Sequence, residues 1–164
     1  MSQPELDMTK PIIRRKGLAA RSVAGMKTVI DCGDFGEFAI DEPAPAGTGT
    51  GPSPLQAVMG AVCGCIAITL RRVADEMSFR YDGIEFGAEF VIDIRGRLGM
   101  AGVKPYFQEV HITATVHTTE SDERLSAVAH TALKRSPTFN LIKDAGTNVF
   151  VIWSCGATPA PAPR

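Results

Sequence analysis

The chain has 164 residues, 45% of them hydrophobic and 21% charged, with a formal net charge of −1. That length suits one domain with a proper core, and those proportions are ordinary for a globular protein. A near-neutral chain has no general attraction to nucleic acid or to an anionic membrane surface, so neither is expected as a partner.

The opening MSQPELDMTKPIIRRKG carries acidic residues and no apolar h-region, so no secretory leader is expected. The four cysteines, Cys32, Cys63, Cys65 and Cys155, are then expected to be reduced thiols of a cytoplasmic protein, not a disulfide framework. Arg14-Arg15-Lys16 beside Ile12-Ile13 reads as the flank of a strand and not as a phosphate site. Residues 26–31 (MKTVID) and 37–41 (EFAID) are β-prone runs around CGDFG, the pattern of a hairpin with an exposed turn. The loop EPAPAGTGTGPS follows, too rich in proline and glycine to continue a strand.

Within that loop Gly47, Gly49 and Gly51 alternate with threonines, which raises the question of a phosphate cradle. A P-loop ends in Gly-Lys-Ser/Thr, because the lysine and hydroxyl meet phosphate and Mg²⁺; here Pro52-Ser53-Pro54 follows. A dinucleotide fingerprint needs G-x-G-x-x-G directly after a strand, and the spacing here is G-x-G-x-G. No nucleotide cofactor is expected.

Ser53-Pro54-Leu55-Gln56 is instead a helix start. Ser53 can cap, Pro54 fits the first position where no N–H is needed, and Gln56 can close a capping box. The helix is predicted over Pro54–Glu76, emerging into solvent at Arg71-Arg72 and Asp75-Glu76. Its apolar run, Leu55 to Leu70, falls short of the ~20 residues a bilayer requires, which favours a core helix over a membrane span. Residues two apart on a helix point ~200° apart, so Cys63 and Cys65 cannot share one metal ion or one disulfide. No metal site is expected.

The second half opens on IEFGAEFVIDIR. Ile84, Phe86, Ala88, Phe90, Ile92 and Ile94 alternate with Glu85, Glu89, Asp93 and Arg95, the period of a half-buried strand. FQEVHITATVHT repeats the pattern, with Val110, Ile112, Ala114 and Val116 inward and His111 and His117 outward among threonines, where a histidine is solvated. In SDERLSAVAHTALKR the period changes: Leu125, Val128, Ala129, Ala132 and Leu133 share one helical face, with His130 off that stripe. VFVIWS is a last short strand. The class predicted is α+β, helices packed on a mostly antiparallel sheet. Residues 1–19 are expected to form an N-terminal arm, 20–154 the domain, and 155–164 (CGATPAPAPR) a Pro/Ala tail.

A free cysteine usually packs as a small hydrophobe, the reading adopted for Cys32, Cys63 and Cys155. Cys65 stands apart. GTGTGPSPL, then Cys65 three turns into the helix, then Ile66-Ala67-Ile68-Thr69-Leu70, and later Lys134-Arg135-Ser136-Pro137, together resemble the OsmC/Ohr family of osmotically inducible and organic hydroperoxide resistance proteins, nearer its general OsmC-like branch. The resemblance spans roughly residues 20–154. It implies an intertwined homodimer with each active site at the subunit junction, and thiol-based reduction of organic hydroperoxides.

In such proteins a cysteine on the long helix attacks the peroxide and a second, in a Cys-Pro pair at a later helix start, closes a disulfide with it. By that resemblance the attacking thiol falls on Cys65 and the resolving position on Ser136, where no sulfur is available. The family's assisting acidic residue falls at Leu55 or Gln56, neither of which is acidic, and its arginine on Arg21. Serine before proline is also a good helix N-cap. Two readings stay open. One is a one-cysteine peroxidase using an external thiol reductant, its thiolate supported by a cation such as Arg21 or Arg72. The other is a dimer on the same scaffold that binds a small apolar ligand or senses redox state.

Overall fold

A computed structural model of the protein describes residues 7–22 and 25–157. Residues 1–6 of the expected arm and 158–164 of the expected tail lie outside the described residues. The chain divides into two units that part between Ala57 and Val58.

The first unit is a three-stranded antiparallel sheet in the order β1 (Ala19–Ser22), β2 (Thr28–Asp31), β3 (Glu37–Ile40). The expected hairpin is β2–β3. Its connection is a 3₁₀ turn, Gly33–Phe35, held by Asp31, whose carboxylate accepts the Gly33 N–H at 2.8 Å. β1 was not legible in the sequence, because all four of its residues are exposed and AARS has no apolar alternation.

The loop after β3 answers the question posed by its glycines. Asp41 is buried, and its carboxylate accepts the N–H of Glu42 at 2.8 Å and of Thr48 at 3.0 Å. The Thr48 hydroxyl adds a bond at 2.6 Å, and Thr50 approaches with both N–H and hydroxyl at 3.3 Å. The loop thus wraps an anion belonging to its own chain. The Thr48 hydroxyl, aided by three backbone N–H groups, holds the Asp41 carboxyl well below the usual carboxylate range. A Cβ on Gly47 would collide with the Glu42 carbonyl oxygen and one on Gly51 with that of Ala39, so close approach of backbone demands glycine at both.

Helix α1 runs Pro54–Glu76, the predicted span. Its capping box is closed: the Ser53 N–H donates to Gln56 Oε1 at 2.9 Å, and the Gln56 N–H to Ser53 Oγ at 3.3 Å. At the other end Phe79 N–H donates to the Ala74 carbonyl at 2.8 Å and Ser78 N–H to that of Asp75 at 3.4 Å, a Schellman ending with Ser78 at φ 51°. One face is buried: Met59, Val62, Ile66, Leu70, Val73 and Ala74. The opposite face is open and still apolar, with Val58 42% and Ile68 61% exposed and Gly60, Ala61 and Gly64 between them. By length and composition α1 is long and apolar enough to cross a membrane, a test that a core helix also passes, and a third of its most apolar stretch is buried in the fold.

The second unit builds on a sheet in the order β4 (Gly83–Ile92), β5 (Phe107–His117), β6 (Asn148–Gly156). β4 and β5 are antiparallel, while β6 runs parallel to β5 because two helices intervene, α3 (Asp122–Arg135) and α4 (Pro137–Asp144). β6 includes Cys155 and Gly156, so the strand is longer than VFVIWS. Val110, Ile112, Ala114 and Val116 form the inner stripe of β5, each at most 1% exposed. Val110, Ile112 and Val116 join two clusters. Met59, Val62 and Ile66 of α1 meet Val110, Ile112, Phe139 and Ile142; Leu70 and Val73 meet Val116, Leu125, Val128 and Ala132. Trp153 of β6 packs against both.

Two strand expectations are corrected. The β4 alternation was read through Ile94 and Arg95, but the ladder shifts register at Val91/Ile92 and the strand ends there. Asp93 caps a single helical turn, α2 (Ile94–Arg97), and Ile94 is 60% exposed. His117 was read as solvated, yet it is buried, its Nδ1 2.6 Å from the Ala157 carbonyl oxygen and its Nε2 3.2 Å from a Glu85 carboxylate oxygen without hydrogen-bond alignment. At the end of β5 the chain after β6 folds over the ring, which period-two reasoning cannot foresee. His111 is exposed and stacks on Phe150, with ring centroids 4.8 Å apart.

Candidate functional site

The site is built where α1 passes the junction of α3 and α4. Helix α3 is capped by Ser121, whose hydroxyl accepts the Arg124 N–H at 3.3 Å, and its apolar face fixes it over the sheet. It stops at Ser136 because the residue before a proline is pushed out of helical geometry. Ser136 adopts φ −81° and ψ 111°, and α4 restarts with Pro137 at its first position. The serine is fully buried.

Sequence reasoning makes Ser136 the N-cap of α4 through its side chain, and the geometry corrects this. The residue stands at the cap position, but its hydroxyl makes no capping hydrogen bond. It donates instead to Cys65 Sγ at 3.4 Å. The two positions joined by the family resemblance, 71 residues apart in sequence, are therefore in contact.

Burial is the largest influence on the Cys65 thiol and pushes its pKa up, but the Ser136 hydrogen bond, together with the nearby hydroxyl and N–H of Thr138, outweighs it, and the net shift is downward. Thr69 is also close, but its hydroxyl donates to the Cys65 carbonyl at 2.8 Å and has one proton to give. The first turn of α4 is thus the main source of the shift, as expected for a sulfur at a helix N-terminus. All of these groups are neutral. The cation expected beside the thiolate is not what lowers its pKa.

The other cysteines differ in kind. All four are free. Cys63 is pushed up by burial. Cys155 is pushed up to about 11 by burial and by the Asp122 carboxylate, and its thiol donates to the Glu120 carbonyl at 3.8 Å. Among the described residues no group of three or more His, Cys, Asp or Glu side chains could hold a metal ion.

Arg21 lies in the first unit, on β1. Its guanidinium makes a two-pronged pair with Glu37 of β3, at 2.6 and 3.1 Å, which raises the Arg21 pKa and lowers that of Glu37. Gln56, at one position of the family's acidic residue, is engaged in the capping box, and Arg72 is exposed on α1. Thr138 was missed by sequence reasoning. Only its place two residues past Ser136 could have pointed to it.

An α+β chain with a cysteine of the long helix facing a broken helix pair defines the class. The family model for OsmC-like protein matches residues 47–150, more than half of the chain, and the chain belongs to that family. Among solved structures, an OsmC-like protein from Mycoplasma pneumoniae is similar at a TM-score of 0.73 and 14% identity, covering 90% of this chain and 100% of that one. The organic hydroperoxide resistance protein OhrB of Bacillus subtilis gives 0.57 and 23%, covering 87% and 98%. A Vibrio cholerae protein ascribed to organic hydroperoxide resistance, with captopril bound in one of its active sites, gives 0.61 and 21%, covering 89% and 95%. At such identities these likenesses speak for the fold alone. No curated protein matches the sequence.

Proposed function

We propose that this OsmC-like protein is a one-cysteine, thiol-dependent peroxidase that acts on organic hydroperoxides through Cys65. The observation that carries the reading is the Cys65 thiol held 3.4 Å from the Ser136 hydroxyl, with its pKa drawn down at the start of α4. The thiolate, which a lowered pKa favours, is the nucleophile such chemistry needs. Cys65 sulfur attacks the O–O bond; an S–O bond forms, the O–O bond breaks, and the alkoxide leaves and takes up a proton as the alcohol. Sulfur is oxidised to sulfenic acid and the peroxide is reduced.

Ser136 offers no sulfur for the next step, and Cys155 is held protonated, so the reductant comes from outside. One external thiol displaces water to give a mixed disulfide, and a second releases Cys65 and carries away the disulfide. Arg21 remains a candidate thiolate partner by the family resemblance. The open apolar face of α1 supports a homodimer, since a helix face carrying Val58, Ala61, Gly64 and Ile68 is stable only when covered.

The test is turnover of cumene hydroperoxide with a dithiol reductant by wild type and Cys65→Ser, with trapping of a sulfenic acid by dimedone and mass spectrometry. Turnover and a Cys65 adduct, both lost in the variant, are expected. A Cys65 that ignores peroxide refutes the reading and favours the ligand-binding or redox-sensing role.

A further inference from the structure

Ser136 holds the Cys65 sulfur at the N-terminus of α4, and Thr138 is the second residue of that helix. The Thr138 hydroxyl oxygen is buried and, among the described residues, has no hydrogen-bond partner. A buried hydroxyl without a partner opposes folding, and valine would fill nearly the same volume without that penalty. A threonine in this place therefore calls for a partner absent from the reduced protein. Its hydroxyl and N–H both bear on the sulfur that Ser136 touches, the hydroxyl without making a hydrogen bond to it.

We infer that Thr138 is a positioning residue for the oxidised state of Cys65: its hydroxyl donates to the oxygen that the sulfur gains on becoming a sulfenic acid. The inference rests on the peroxidase reading above. The oxygen comes from the hydroperoxide, whose other half leaves as alcohol, and it gives the sulfur a new acceptor for the unpartnered hydroxyl to meet. The consequence is protection. A hydrogen bond donated to the sulfenate oxygen draws electron density from the sulfur and slows its attack on a second hydroperoxide, which would form sulfinic acid and a second alcohol. In a chain without a resolving thiol the sulfenic acid must persist until an external thiol arrives.

The experiment uses the full chain, reduced, exposed to graded cumene hydroperoxide, with sulfenic acid (as its dimedone adduct) and sulfinic acid at Cys65 counted by mass spectrometry. Thr138→Val should reach half-conversion to sulfinic acid at roughly three- to tenfold less peroxide than wild type, the range for one lost ordinary hydrogen bond. Thr138→Ser, which keeps the hydroxyl, should match wild type. Thr138→Val should melt at or above the wild-type temperature; a clearly lower one would show that the hydroxyl already has a partner, and would overturn the inference. Sulfenic acid in wild type with the same sulfinic fraction in Thr138→Val overturns this inference alone. No oxidation at Cys65 in wild type overturns the peroxidase reading and takes this one with it.

Discussion

The Ser136 hydroxyl donates to the Cys65 sulfur at 3.4 Å and does not cap the helix it begins. A side chain placed to finish a helix is thus committed to a thiol on another helix. That pairing places a hydrogen-bond donor on the sulfur where the family resemblance puts a second sulfur.

Ser136→Cys should therefore convert a one-cysteine site into a pair. With one equivalent of cumene hydroperoxide, wild type should accumulate sulfenic acid. The variant should instead form a disulfide between Cys65 and the introduced thiol, within the ~3.5–4.5 Å Cβ separation such a bond needs. Because no capping bond is lost, the reduced variant should melt within about 1 kcal/mol of wild type. A Cys65–Cys155 disulfide in oxidised wild type would contradict this account. Non-reducing mass mapping separates the outcomes.

Alkylation should discriminate among the cysteines. Cys65 is shifted down, Cys63 up, and Cys155 up to about 11. A lowered thiol pKa means thiolate survives to lower pH, so the Cys65 rate should rise through a midpoint below that of an unperturbed thiol. Cys63 and Cys155 should need more alkaline solution, with about tenfold in rate at neutral pH for each unit that separates them. Brief iodoacetamide labelling across a pH series, read by peptide mass, provides the check; Cys63 labelling first would assign the reactive thiol to the wrong residue.

The open face of α1 predicts a dimer at micromolar concentration. Ile68 is 61% exposed on the helix face opposite the core stripe, so Ile68→Glu should leave the single-chain fold intact while placing a charge in the interface. Light scattering should report twice the chain mass for wild type and a shift to single-chain mass for the variant. An unchanged mass in the variant would mean that another face pairs the chains.

Asp41 should matter for stability and not for catalysis. Its folded-state pKa is depressed, so its contribution is complete above the ordinary carboxylate pKa of ~3.9 and is lost only as pH falls through the much lower folded value. Asp41→Asn should lower the melting temperature throughout the neutral and mildly acidic range, and the gap to wild type should narrow only below about pH 4. Thermal melts at stepped pH would show it.

Ser78 closes α1 in the left-handed region, at φ 51°, where a Cβ is disfavoured. Ser78→Gly should stabilise the fold by about 0.5–1 kcal/mol, measured by urea denaturation, if relief of strain exceeds the added freedom of the unfolded chain. A loss of stability would show that unfolded-state entropy dominates.

Local chemistry was enough for much of this molecule. The capping box fixed α1 from Pro54, because Ser53, Pro54 and Gln56 act within one turn. Period two gave the buried stripe of β5, and the 3.6 period gave the core face of α3, because alternation records which side a core lies on. What local pattern could not supply depended on partners distant in sequence. His117 is buried by residue 157, and the Gly47–Gly51 loop is organised by Asp41, a carboxylate that nothing in the glycine spacing identifies. The sequence placed Cys65 and Ser136 on two helices, but the direction of a rotatable hydroxyl was decided only when α1 and the α3–α4 break were packed over one sheet. The packing left Ser136 buried beside a sulfur, and there a hydrogen bond to the thiol took the place of a cap.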